Sequence, residues 1–215
     1  LIFQKIFGKN PKADVYMDVA ETITGVFLVG FVWTHMLFVS SILFGTGMFN
    51  NVPAILDATG ISYVGIFFVI IGILLHMVVA GRRIPARYND QRIIWQHTNR
   101  LGHKDTWTWL LQIVTGVAVL ILASIHVWAV LSGWPINATN SARRVQEHYF
   151  FFYMILLAMA ELHIGVGVYR IFIKWVWIPR LRVSRILTLV TLCIVGLGFA
   201  SLLVLNFFVR VGGAS

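Results

Sequence analysis

Acidic residues are scarce in this sequence. Eight Asp and Glu stand among 215 residues, and charged residues of every kind make up only 12%. Cysteine is scarcer still. Cys193 stands alone in an apolar run, which excludes an internal disulfide and reads as a small core residue. What fills the space instead is hydrophobic: 59% of the chain, 14% of it aromatic, with a mean hydropathy of +0.83. A soluble domain of this length has no use for so much apolar surface. The composition therefore points to a polytopic membrane protein of the all-α class. The formal charge of +9 would suit a nucleic-acid partner, but where the basic residues fall argues for membrane topology and against nucleic acid.

Apolar runs of roughly 20 residues, enough to cross a bilayer, occur five times within a single transmembrane domain, residues 1–215. The expected spans are Asp18–Phe44, Ile61–Ala80, Trp107–Leu131, His148–Phe172 and Ile186–Val209. Turn formers separate them: Gly45-Thr46-Gly47, Asn50-Asn51-Val52-Pro53 and Ser132-Gly133-Trp134-Pro135. Fourteen of the 17 Lys and Arg fall on one side of this arrangement. They are Lys5, Lys9 and Lys12 before span one, six from Arg82 to Lys104 between spans two and three, and five from Arg170 to Arg185 around spans four and five. Only Arg143, Arg144 and Arg210 fall on the other. The excess of positive charge on cytoplasmic loops predicts a cytoplasmic N-terminus and a C-terminus outside. A basic inner face also attracts anionic lipid, and it suits the docking of a soluble partner.

Of seven histidines, four lie within spans: His35, His76, His126 and His163, one on each of spans one to four. A lone histidine in a membrane helix is ordinarily a polar contact between helices. Four on successive helices call for a joint explanation, and depth supplies it. Spans one and three run outward, and His35 and His126 lie roughly 25–28 Å from their inner ends at 1.5 Å per residue. Spans two and four run inward, and His76 and His163 lie roughly 22 Å from their outer ends. The chain thus makes an outer pair, His35 with His126, and an inner pair, His76 with His163. Two imidazoles facing each other in an apolar bundle fit bis-histidine ligation of a b-type haem. Zinc wants three or four ligands, which neither level offers. Two stacked haems with no open iron position would carry electrons rather than bind oxygen.

Gly25 and Gly116 each lie ten residues before an outer histidine, in Thr24-Gly25-Val26 and Thr115-Gly116-Val117. That places them roughly 15 Å inward, near the inner pair. There a glycine would let a macrocycle approach the backbone, with ordinary close helix packing as the alternative. Haem propionates want cationic partners near the membrane faces. Lys174 on the inside and Arg143 and Arg144 on the outside are the candidates, with interfacial snorkelling as the other reading.

The stretches THMLFVSSIL, TGVAVLILASIHVW and AELHIGVGVYRIFIKWVW resemble the two-haem cytochrome b subunit of quinol:fumarate reductase, in the succinate:quinone oxidoreductase family. The resemblance runs roughly from Asp14 to Leu205. It implies a distal haem on His35 and His126 and a proximal haem on His76 and His163, nearer the cytoplasm. Lys174 would stand near a proximal propionate and Arg143 near a distal one. It implies an iron–sulfur subunit and an FAD-carrying flavoprotein subunit on the cytoplasmic face of a bacterial inner membrane. Electrons would pass from menaquinol, the substrate quinone, to fumarate. The inner loops with Arg82, His97 and His103 would face the iron–sulfur partner, though solvated loop histidines are the plainer reading of the last two.

Members that oxidise menaquinol place a glutamate in the region joining spans one and two. Here that region is shortened, and its only acid is Asp57. Asp57 is a candidate base for quinol protons, or equally a turn or helix-start residue before span two. Glu147, at the outer start of span four, is a second candidate, with a favourable helix-terminal carboxylate as the alternative. Glu161 is the only acid expected well inside a span. The resemblance implies a proton relay there, offsetting the charge that electrons move across the membrane. The competing role is a protonated acid bonded to a neighbouring helix. Glu161 and His163 differ by roughly 200° around the helix axis, so they face opposite sides. Three other classes stay open: cytochromes of the bc-complex type, cytochrome subunits of hydrogenases or formate dehydrogenases, and a transporter using His and Glu to carry protons.

Overall fold

The computed structural model describes residues 11–175 and 179–211. Lys5 and Lys9, and Val176 and Trp177 of the last quoted stretch, lie outside the described residues. The described chain is helical, with no strand among the described residues. In chain order the helices are α1 (Pro11–Ser40), α2 (Thr46–Ala58), α3 (Ile61–Gly81), α4 (Tyr88–Leu101), α5 (Lys104–Leu131), α6 (Ala138–Arg144), α7 (Phe150–Lys174) and α8 (Arg180–Phe207). A 3-10 turn, Ser41–Phe44, extends α1, and a π-helical turn, Val145–Tyr149, joins α6 to α7 without a break. Among the described residues, five helical stretches are long and apolar enough to cross a membrane: α1 with its 3-10 turn, α3, α5, α6 through α7, and α8. Their outward faces carry large exposed apolar side chains such as Phe68, Leu74, Ile121 and Leu189, as a lipid solvent allows.

Each helix starts at or before its expected span, while α5 ends at Leu131 as expected and α8 stops at Phe207, two residues short. Span four begins ten residues early, at Ala138, because two asparagines cap it. Asn137 Oδ1 accepts from the Asn140 N–H at 2.8 Å, and Asn50 Oδ1 accepts from the Ala138 N–H at 2.7 Å. Two of the four unpaired N–H groups at that helix start are thereby satisfied. The segment after span one, expected as turns, is the helix α2. Gly45 (φ 109°) and Gly60 (φ 73°) bound it, and Pro53 lies within it. Its Phe49 is buried in the main apolar cluster with Ile42, Ala142, Val145, Leu202 and Leu205, at the outer end of the bundle. Burial there outweighs the turn preference of the Asn-Asn-Val-Pro sequence. The inner loop likewise contains the helix α4, whose Trp95 meets Trp107 edge to face at 5.9 Å.

Packing divides the membrane helices into two pairs. α1 packs on α3, and α5 packs on α7. α8, which carries no histidine, packs on both α7 and α1. By contrast α1 with α5, and α3 with α7, scarcely touch.

Candidate functional site

His35 on α1 and His126 on α5 face each other with ring centroids 6.0 Å apart and planes at 60°. Phe31, one turn inward, stacks on His35 at 5.7 Å, and Tyr153 of α7 meets His126 edge to face at 5.4 Å. The Nδ1 of His126 is buried and has no hydrogen-bond partner. This is the outer pair read from the sequence, reached from helices that do not pack on each other.

The inner histidines are seated differently. His76 Nδ1 lies 3.1 Å from Thr24 Oγ1, across the α1–α3 contact. His163 Nδ1 lies 3.3 Å from Thr115 Oγ1, across the α5–α7 contact. What approaches the two glycines is therefore an imidazole. A methyl group at Gly116 would stand 2.9 Å from His163 Cε1, and one at Gly25 would stand 3.4 Å from His76 Cε1. Gly116 makes room for the ring, while Gly25 is in ordinary contact. The vertical spacing follows from the chain. Thr24 and Thr115 each lie eleven residues before the outer histidine of the same helix, roughly 16 Å inward. Sequence reasoning noticed the repeated Thr-Gly and weighed only its glycines; the threonines are residues it missed.

At the outer level the spacing of the two rings fits a bis-histidine haem. First-row metals bond imidazole nitrogen at about 2 Å, which sets two facing ring centroids roughly 6 Å apart. The helices that carry this pair, α1 and α5, leave a gap between them. Among the described residues no three of His, Cys, Asp and Glu converge as a metal-holding cluster. His35 and His126 meet as a pair. One contact lies in the way at the inner level: Gln112 Nε2 stands 3.4 Å from His163 Nε2 and must turn aside for a ligand there.

Glu161 is 1% exposed, and neither of its oxygens has a hydrogen-bond partner. The indole of Trp33 on α1 lies beside it, its own buried N–H also unpaired. Glu161 thus faces α1 while His163, two residues on, faces α5. Trp33 is two residues inward of His35 along α1, and Glu161 two residues outward of His163 along α7. The acid stands between the two histidine levels.

The remaining candidates are scattered. Asp57 lies in the last turn of α2, with a buried Oδ1 that has no partner. It is not a helix-start residue: Gly60 precedes α3, and no side chain caps that helix. A carboxylate near a helix C-terminus opposes the local dipole. Glu147 is exposed on the π-helical turn, and the helix it was expected to begin starts ten residues earlier. Arg143 is exposed, whereas the guanidinium of Arg144 packs over Gly133 and lies beside Tyr153, close enough to His126 to act on it. Lys174 Nζ pairs with Asp18 Oδ2 at 2.7 Å. Asp18 also takes Arg82 and Arg83, and Glu21 takes Arg82 at 3.0 Å. Neither acid was singled out from the sequence.

Comparison with known proteins gives consistent matches. The family described as succinate dehydrogenase/fumarate reductase transmembrane subunit matches residues 88–204. The chain is 31% identical to the fumarate reductase cytochrome b subunit of Helicobacter pylori, over 80% of this chain and 72% of that one. It is 29% identical to the fumarate reductase cytochrome b subunit of Wolinella succinogenes, over 95% and 85%. It is 26% identical to the succinate dehydrogenase cytochrome b558 subunit of Bacillus subtilis, over 91% and 98%.

Proposed function

The chain belongs to the succinate dehydrogenase/fumarate reductase transmembrane subunit family, and we propose that it is the dihaem cytochrome b anchor of a quinol:fumarate reductase. Such a subunit is part of an oxidoreductase complex, and the reaction on the dicarboxylate belongs to its partners. His35 and His126 hold the outer haem, and His76 and His163 hold the inner one. When bound, the two groups supply one-electron transfer between the quinol side and an iron–sulfur subunit on the cytoplasmic face. A flavoprotein subunit beyond it reduces fumarate. The N-terminus lies in the cytoplasm, as the basic inner loops favour.

The observation that carries this reading is the 6.0 Å facing of His35 and His126 from unpacked helices. The other residues take supporting roles. Asp57, with its unpartnered buried oxygen, accepts protons from menaquinol at the outer side; Glu147 is the alternative base. Glu161, buried between the histidine levels, relays a proton inward. That proton offsets the charge moved by the electrons, about 2.3 kcal/mol per charge per 100 mV. Arg144 and Arg143 serve the outer propionates and Lys174, with its partner Asp18, the inner ones.

Replacing each of the four histidines singly with alanine, and titrating haem in the purified complex, tests this. Haem should fall from two to one in every case. The surviving spectrum should be shared by His35→Ala and His126→Ala, and a different one by His76→Ala and His163→Ala. Any other grouping, or wild-type membranes without b-type bands, refutes the assignment. The likeness to a succinate dehydrogenase subunit supports a second reading, the same chain working from succinate toward quinone. Turnover measured in both directions separates the two.

A further inference from the structure

The two inner histidines rest on the same device, built twice on different helix pairs. A threonine hydroxyl owns one proton. Thr24 gives its proton to the Ala20 carbonyl at 2.8 Å, and Thr115 gives its proton to the Leu111 carbonyl at 2.7 Å. Each Oγ1 then has only lone pairs to offer the imidazole in front of it, at 3.1 Å for His76 and 3.3 Å for His163. Each Nδ1 then carries the ring's hydrogen and donates it, which leaves Nε2 as the ring's acceptor; at His163 that lone pair faces Gln112 Nε2 at 3.4 Å. The residue after each threonine is the glycine against which the ring lies. At the outer level the device is missing from one ligand at least, since His126 Nδ1 is buried without a partner.

We propose that Thr24 and Thr115 are positioning residues for the inner haem: each fixes the tautomer and the ring plane of one inner histidine by accepting its Nδ1–H. The inference rests on the bis-histidine reading above and adds to it a reason why the two levels differ. Metal-bound histidines commonly donate their second ring N–H to an acceptor, which orients the ring and raises its strength as a ligand, and loss of that acceptor typically costs about 10–100-fold in metal affinity. Hydrogen bonding to an axial ligand is also one of the levers a protein has on haem potential. A stronger donor favours the oxidised iron, so the threonines lower the potential of the inner haem relative to the same site without them.

The test uses the purified holo-complex with Thr24→Val and Thr115→Val, which keep the side-chain shape and remove the hydroxyl, beside Thr24→Ser and Thr115→Ser, which keep the hydroxyl. The readouts are a redox titration of haem absorbance and the low-spin ferric resonance spectrum, neither of which requires turnover. In each Val variant one of the two redox components should shift to higher potential, together with its resonance, while the other stays put. The Ser variants should stay close to wild type, and the double Val variant should shift further than either single one. Loss of the inner haem in a Val variant but not in its Ser counterpart also supports the proposal. Unchanged components in the Val variants, equal shifts of both components, or Ser variants displaced as far as Val would overturn it. A wild-type complex without two bis-histidine haems refutes the function reading itself. A wild type with two such haems and indifferent threonine variants refutes this inference alone.

Discussion

Lys174 on α7 and Asp18 on α1 are 2.7 Å apart, and the same carboxylate takes Arg82 and Arg83 at the end of α3. One acid therefore ties the inner ends of three membrane helices. Asp18→Asn leaves Lys174 facing an amide and leaves Glu21 as the remaining acid for Arg82 and Arg83. The expected loss is about 1–3 kcal/mol, more than the roughly 0–1 kcal/mol of an isolated surface pair, because the partners share one partly buried site. A thermal melt of the purified complex, followed by haem absorbance, should show a lowered midpoint. Glu21→Gln should cost less, since among the described residues Glu21 pairs with Arg82 and Arg83, at 3.0 and 3.5 Å, and takes no part in the Lys174 pair.

The two glycines should respond unequally to the same substitution. Gly116→Ala puts a methyl 2.9 Å from His163 Cε1, so the ring must move off its threonine. Overpacking of this kind costs about 1–3 kcal/mol, and the inner haem should be lost or spectrally altered. Gly25→Ala puts its methyl at 3.4 Å from His76, an ordinary contact, and should keep both haems. Haem content and difference spectra of the two variants, measured side by side, decide it.

Glu161→Gln removes the buried acid that stands between the histidine levels and leaves the shape of the side chain alone. Both haems should remain. Quinol-linked fumarate reduction in proteoliposomes should slow by about tenfold or more, a modest part of what a proton-transferring side chain contributes. Reduction of fumarate by a chemical electron donor should be unaffected. Fast quinol-linked turnover with both haems in place would end the relay role.

For Asp57→Asn the expectation is a drop in quinol oxidation, again of about tenfold or more, with haem content and thermal stability retained. Glu147→Gln should leave turnover near wild type, because that side chain is exposed on the π-helical turn. The reverse result, a slow Glu147→Gln and a normal Asp57→Asn, would transfer the role to Glu147.

Much of this site was legible because depth in a membrane is written in residue counts. His35 and His126, on helices running the same way, come to one level by simple addition at 1.5 Å per residue. The opposite facing of Glu161 and His163 also followed from helical rotation alone. Apolar runs gave away the five spans, but their ends were set by partners that no local pattern reveals. Ala138 begins a helix because Asn50, far away in sequence, caps it. Asn50 and Phe49 belong to a helix whose sequence reads as turns, and only the burial of Phe49 explains it. The threonines were hidden in a different way. A threonine in a membrane helix ordinarily satisfies itself on the carbonyl four residues back, and Thr24 and Thr115 do that as well. Only the packing of α1 on α3 and of α5 on α7 shows that the lone pairs have a second use. Which of Arg143 and Arg144 turns inward was likewise beyond a pattern, since adjacent residues differ by about 100° and the helix start was misplaced.

The two packed pairs of helices each carry one histidine of each level: His35 and His76 on α1 and α3, His126 and His163 on α5 and α7. Neither leaf can complete a ligand set by itself. On the bis-histidine reading the first leaf brings both of its histidines, with Thr24 set against His76 alone, and needs α5 and α7 to complete either pair. Two haems held in this way would act as rivets through the seam, with α8 as the strap along one side. On that reading such a protein would not keep half its cofactor in half its chain. Its maturation would then be a joining of leaves, with an electron path assembled from both.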